Sequence, residues 1–329
     1  MKQYGLIMLA LFYLIGCGHK DKARGDVYLL LQNAQSVSIY DPEEDSLYRD
    51  IIQTGKTPNY LLFSGDKGYI VNSGYGGTPS IQMFSTGDNK VLWSSPLPLG
   101  SNPWACAIIG EEIYVTSYTF NKIYILNRSD GALKDSVNVG NSPEGIAAKD
   151  SFIYVACANI SYDTAGSPVY NDAKLYILEG KNVKDSIKVG KNSQYVEING
   201  EQVVVLSTGD YGVTQSGRLY LIQENILRDS IDIGGSPGFF VVRDKKAYVV
   251  GFADSLKIVD LNTKEIQKIA LDSINGYMGC DVDDKGRIFI ARFDYTGENN
   301  DLIVLENNLI TKKIPTGSAT GLSFVRVKE

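Results

Sequence analysis

A four-residue phrase, Gly-x-x-Pro behind apolar residues, returns along this chain at intervals of roughly 38–50 residues. It is intact at Gly55–Pro58, Gly100–Pro103, Gly140–Pro143 and Gly234–Pro237. Weaker copies stand at Gly190–Ser193, Asp272–Asn275 and Gly317–Thr320. A unit of this size cannot bury both of its faces alone, so it must stack on its neighbours. That requirement limits the architecture to a repeat array before any single residue is considered.

Three further apolar segments follow each phrase in the same order. The second of the unit is Ile113–Ser117, Ile153–Cys157 or Ile288–Ala291, and the third is Lys122–Leu126, Lys174–Leu178 or Arg218–Ile222. These runs are short, rich in β-branched and aromatic residues, and bounded by Gly, Asn and Asp, which is strand composition. No 3.6-residue apolar period lasts for the length of a helix. The fourth segment, as in Lys134–Val137, Lys184–Ile187 and Arg228–Ile231, mixes charges into the pattern. That suits an exposed edge that must resist pairing with other chains. Four-stranded antiparallel sheets with this gradient from apolar to charged define an all-β protein, a β-propeller.

The ends of the chain set the blade number. After Gly317 there is room for one strand, Gly321–Val327, and before Gly55 there are three, Val27–Leu31, Ser36–Tyr40 and Leu47–Ile52. One and three complete a seventh blade, so the ring is expected to close with both termini in one sheet. An open solenoid would need capping repeats, whereas these incomplete ends complement each other.

The segment Ile113-Tyr114-Val115-Thr116-Ser117, then Asn121–Leu126 and Val139-Gly140-x-x-Pro143-Glu144-Gly145, resembles the YVTN repeat of YncE-like propellers. The resemblance covers residues 27–329 and implies the fold; propellers host too many activities for it to imply one.

Residues 1–16 have a single basic residue, Lys2, and an apolar stretch from Tyr4 to Ile15, too short to span a bilayer but suited to a secretory signal. It ends in Leu14-Ile15-Gly16-Cys17, which resembles a bacterial lipobox. That resemblance implies a lipid on Cys17, a polar tether over 17–26, and a propeller over 27–329 attached to the membrane by its anchor alone. The expected location is the cell envelope, on an outer membrane facing either the surface or the periplasm.

The formal net charge of −6, with no basic run, speaks against nucleic acid as a partner. The only histidine, His19, lies in the tether, so nucleophile–histidine catalysis and histidine-held metals are excluded from the propeller. No phosphate-binding glycine loop or metal-ligand spacing is present, and no cofactor is expected. Asp281-x-Asp283-Asp284-x-Gly286 has the look of a calcium loop without its distal Glu, and reads as a hairpin turn. Cys106, Cys157 and Cys280 lack zinc or redox spacing and read as small buried residues, with a Cys106–Cys157 bridge as the alternative.

Strand polarity sorts the loops onto two faces. Short charged turns such as Gly65–Lys67 share one face, called here the hairpin face. The phrases and the longer loops between second and third strands share the other, the phrase face. The phrase-face loops carry Tyr75, Tyr118, Tyr162, Tyr170, Tyr211 and Tyr295. Just after the phrases stand Tyr60, Trp104, Tyr195, Phe239 and Tyr277, which are expected to aim rings at the same mouth. Packing between blades is the competing use for these five. Glu144 and Arg292 would add directional polar contacts. Tyr and Trp offer wide apolar area with a polar tip, which suits a binding surface.

The loop Ala158–Ala173, with Ser207–Tyr211, resembles loops of surface propeller lipoproteins that capture cobalamin. This resemblance implies a corrinoid ligand and an outer-membrane transporter as partner. The expected function is therefore non-catalytic capture of a small molecule on the aromatic face. Two alternatives stay open: a scaffold for an envelope protein or polymer, and a calcium-dependent lactonase-like hydrolase built on carboxylates such as Glu144 and Glu197.

Overall fold

The computed structural model describes residues 26–210, 216–252, 255–271, 276–293, 300–317 and 320–328. Every regular element among them is a strand, and the strands form seven four-stranded antiparallel sheets and one two-stranded hairpin. The seven inner strands, blade one to blade seven, are Pro58–Ser64, Pro103–Ile109, Pro143–Lys149, Ser193–Asn199, Pro237–Arg243, Gly276–Val282 and Leu322–Val327. Blade seven takes this last strand and completes itself with Val27–Leu31, Ser36–Asp41 and Ser46–Gln53. The first and last strands pair antiparallel, with Val27 opposite Val327 and Leu29 opposite Val325. Closure by the two ends is thus as the sequence predicts, and it leaves neither terminal strand without a partner.

Second and third strands are the buried ones. Ile113–Ser117 is buried throughout, and so is Ile153–Cys157, whereas the outer strand Leu133–Asn138 is exposed or half-buried. Between blades, rings and aliphatic side chains interlock. Tyr28 of blade seven meets Phe63 of blade one edge-on at 4.9 Å, a contact favoured by the ring quadrupoles. Arg128 of blade two reaches Tyr69 of blade one through a 2.8 Å Nε bond.

The recurring phrase has a specific mechanical role. Its third residue adopts a left-handed backbone: Thr57 (φ 53°), Asn102 (46°), Ser142 (55°) and Asn192 (51°). The carbonyl of that residue then accepts the N–H that follows the second strand, from Ser73 (2.9 Å), Tyr118 (3.2 Å), Ala158 (2.9 Å) and Thr208 (3.1 Å). Each phrase therefore anchors the root of the loop between second and third strands. A β-bulge follows immediately in the inner strand, as between Pro58 and Tyr60 or Pro143 and Ile146. Bulges bend a strand and re-aim its side chains, which is how the next residues turn toward or away from the channel.

The three propeller cysteines are free and buried, so no Cys106–Cys157 bridge forms. Burial pushes the Cys106 thiol up to about 12, which leaves it inert as a nucleophile at neutral pH. The Asp283 loop is a hairpin turn: its Oδ1 accepts the N–H groups of Lys285 (3.0 Å) and Arg287 (2.8 Å).

Candidate functional site

The rings expected at the phrase-face mouth separate into two groups. Phe239 and Tyr277 are 1% exposed and belong to the core, so they do not present a surface there. Tyr60, Phe324, Phe239 and Tyr195 form a chain of rings with successive centroid distances of 5.3, 5.1 and 4.9 Å. Phe324 lies in blade seven and Phe239 in blade five, so this chain passes over blade six. Gly279 of that blade makes room for it: a Cβ there would lie 3.2 Å from the Phe324 Cα. The expectation that five blades aim a ring at one mouth is corrected accordingly. Most of these rings are a plug within the channel, because the bulge turns them inward against one another.

The second group remains at the mouth, on blades two and three. Trp104 and Tyr118 are half-buried with centroids 6.2 Å apart. The loop 158–173 contains a short hairpin of its own, Ile160–Tyr162 paired with Pro168–Tyr170. Asp163 tightens its turn by accepting the N–H groups of Ala165 (2.9 Å) and Ser167 (2.8 Å). The Asn141 side chain ties its base to the phrase through a 2.7 Å bond to the Ile160 carbonyl. This holds Tyr162, 64% exposed, near Tyr118. Burial raises the Tyr118 phenol above its ordinary value, and Tyr162 adds to that.

Glu144 lies at the base of this group. It is 1% exposed, and its Oε2 has no hydrogen-bond partner among the described residues. Burial lifts its carboxyl to about 8, against a smaller opposing effect of the hydrogen bond from Gln194. Tyr118 and Tyr170 both sense its charge. Gln194 is itself held by the Thr208 hydroxyl at 3.0 Å. An orphaned buried carboxyl oxygen costs on the order of 1–3 kcal/mol, so it is unusual unless something else satisfies it.

The remaining expected residues are dispersed. Tyr75, 81% exposed, stands alone on the blade-one loop. Arg292 is engaged by Asp301, the residue opposite it on the neighbouring strand. Tyr211, Tyr295 and Cys17 lie outside the described residues.

A separate cavity occupies the hairpin-face half of the channel. Its volume is about 470 Å³, and its walls include Tyr60, Ser64, Ile146, Glu197, Arg243 and Arg326. Arg243 Nη2 lies 3.1 Å from Asp281 Oδ1, and Arg326 lies 3.7 Å from Asp281 and 3.8 Å from Glu197. Of this wall the sequence marks out Glu197, and Asp281 only within the calcium-like motif that reads as a hairpin turn; Arg243 and Arg326 carry no expectation. The signal was there: Arg326 is a charge between Val325 and Val327 in an inner strand. Glu144 and Glu197 sit in opposite halves of the channel and do not converge. Among the described residues, no three His, Cys, Asp or Glu side chains group as metal ligands.

No protein-family model matches the chain, and no curated protein matches its sequence. Solved structures of similar shape do exist. A quinonprotein alcohol dehydrogenase-like protein from Bacteroides thetaiotaomicron has a TM-score of 0.68 at 12% identity, over 93% of this chain and 79% of that one. Hydrazine synthase of Kuenenia stuttgartiensis has 0.66 at 16% identity, over 81% and 88%. Apo AztD from Citrobacter koseri has 0.58 at 17% identity, over 93% and 99%. At such identities the likeness establishes the seven-bladed propeller fold and no activity.

Proposed function

We propose that this is a binding protein of the bacterial envelope, tethered through a lipid on Cys17, that captures a small molecule at the phrase face without transforming it. The observation that carries this reading is the Glu144 carboxyl: buried, short of a partner at Oε2 among the described residues, and near enough to Tyr118 and Tyr170 to act on their phenols. With its pKa near 8 the carboxyl is mostly protonated at neutral pH, so it can both donate and accept a hydrogen bond. A ligand with a flat or broad apolar body and an amide or hydroxyl group would satisfy it while stacking on the rings. Each ring contact contributes roughly 0.5–1.5 kcal/mol beyond area burial, so three or four support micromolar binding without any reactive group. The resemblance to YncE-like and cobalamin-capturing propellers makes a corrinoid the first ligand to test, and an outer-membrane transporter the recipient.

Calorimetric titration with cobalamin is expected to show saturable binding that weakens at least about tenfold in Trp104→Ala and in Glu144→Gln. No heat on titration removes the corrinoid. Binding unchanged in both variants would place the ligand away from this mouth.

A second reading, docking of a protein or polymer, is favoured by the apolar groups left open on the same face: Leu99 (71% exposed), Tyr75 and Phe120 (41%). Capture of an envelope component that is lost on replacing Leu99 and Phe120, with cobalamin binding absent, would favour it.

A further inference from the structure

The cavity on the hairpin face has the make-up of a binding site in its own right. Blades one to four give it an apolar wall, Leu62, Ile108, Ile146 and Ile198, and blades four, five and seven give it the charged wall of Glu197, Arg243 and Arg326. Its volume of about 470 Å³ falls within the usual range for small-molecule pockets.

The charges on that wall are unevenly satisfied. Asp281, fully buried, is the best provided: it accepts the Val327 N–H at 2.9 Å, its own neighbour Val282 N–H at 2.8 Å, and pairs with Arg243 at 3.1 Å. Arg326, by contrast, has a side chain only 9% exposed, and both of its carboxylate neighbours stand beyond hydrogen-bond reach at 3.7 and 3.8 Å. Its Nε has no hydrogen-bond partner among the described residues. The guanidinium is held in place by ring faces, with Cζ 5.3 Å from the Phe324 centroid and 5.9 Å from that of Tyr60. Burial also pushes the Glu197 carboxyl up from its ordinary value, with Arg326 and Arg243 opposing.

From this geometry we propose that the hairpin-face half of the channel binds a small organic carboxylate. Its anionic head sits on Arg326, and its hydrocarbon body lies against Leu62, Ile108, Ile146 and Ile198. A planar guanidinium matches a carboxylate in shape as well as charge, and the Nε–H of this one has no partner among the described residues. The ring chain Tyr60–Phe324–Phe239–Tyr195 lies toward the phrase-face ends of the inner strands, and the cavity lies toward their hairpin-face ends.

The probes are octanoate, octylamine and acetate, added to the full chain, with thermal shift and calorimetry as readouts. Octanoate is expected to bind saturably and raise the melting temperature; octylamine, with the same body and opposite charge, and acetate, with the head alone, are expected to do neither. Arg326→Met should weaken octanoate at least about tenfold, and Trp104→Ala should leave it unchanged. Should Arg326→Met fail to fold, Arg243→Met, at a more exposed position, is expected to give a weakening of the same sign. Equal responses to octanoate and octylamine, retention of octanoate binding in the arginine variants, or its loss in Trp104→Ala would each overturn the proposal.

Discussion

Arg326 of blade seven and Glu197 of blade four approach to 3.8 Å across the channel. Stacking of neighbouring repeats alone would never bring these blades together. The contact exists because the ring closes, and it is accompanied by a second cross-channel contact one layer away, the rings of Phe324 and Phe239. An apolar plug and a charged wall thus divide one channel into two compartments of different chemistry.

Asp281 is the member of the charged wall with the most to lose. It has no solvent exposure and serves Arg243, Arg326 and the Val327 amide together. Removing one partner of a buried ionic group typically costs about 3–5 kcal/mol. Asp281→Ala is expected to lower stability by about that amount in a denaturant titration, and Asp281→Asn, which can still accept from Val327, by less. Equal losses would mean that the charge contributes nothing.

Glu144 predicts a pH dependence with a definite sign. Its folded-state value of about 8 lies above its ordinary 4.5, so the folded protein holds this proton more tightly than the unfolded chain. Its contribution is therefore fully present below pH 4.5 and is lost as pH rises through 8. In denaturant titrations Glu144→Gln should match the native protein in stability at pH 4 and exceed it above pH 8, by up to roughly 5 kcal/mol. A constant difference across that range would show that the carboxyl does not titrate in the fold.

Gly145, beside Glu144, lets blade three approach blade four. A Cβ there would lie 2.5 Å from the Gln194 carbonyl oxygen and 2.7 Å from the Tyr195 Cα, and these are backbone atoms that cannot step aside. Gly145→Ala is expected to cost about 1–3 kcal/mol and to disturb the Trp104 environment. Chemical denaturation followed by tryptophan emission reads both.

Thr57 holds φ 53° with a β-branched side chain, a conformation that Asn102 and Asn192 occupy in two other phrases. Asn tolerates this region better than Thr because its short polar side chain can bond locally. Thr57→Asn should raise stability by about 0.5–1 kcal/mol. A neutral or lower melting midpoint would mean that the Thr57 side chain makes compensating contacts.

Deleting Leu322–Val327 opens the ring. The Val27–Leu31 strand, buried along its whole length, would then present an unpaired apolar edge. The shortened chain is expected to aggregate or to be recovered only as a non-cooperative species. A monomeric product with a sharp melt would show that the other six blades suffice.

The architecture was legible in the sequence because it is written in local, repeated signals. Strand composition, turn residues and the apolar-to-charged gradient recur in every unit, and the leftover strands at the two ends count the blades. Val27–Leu31 was placed to the residue. The Trp104–Tyr118–Tyr162 group was also foreseeable, since loops rooted by the same phrase must emerge on one face.

What the sequence could not supply was direction within the channel. Tyr60 stands two residues beyond its phrase proline and Trp104 one beyond, and one ring joins the plug while the other stays at the mouth. The ring that Tyr60 meets, Phe324, lies at the far end of the chain, and no local pattern names it. Repetition in the chain is a one-dimensional property, and it sets the strands, their order and their number. The meeting of Arg326 with Glu197, and the burial of the Glu144 carboxyl, are properties of the closed ring, which only three dimensions decide.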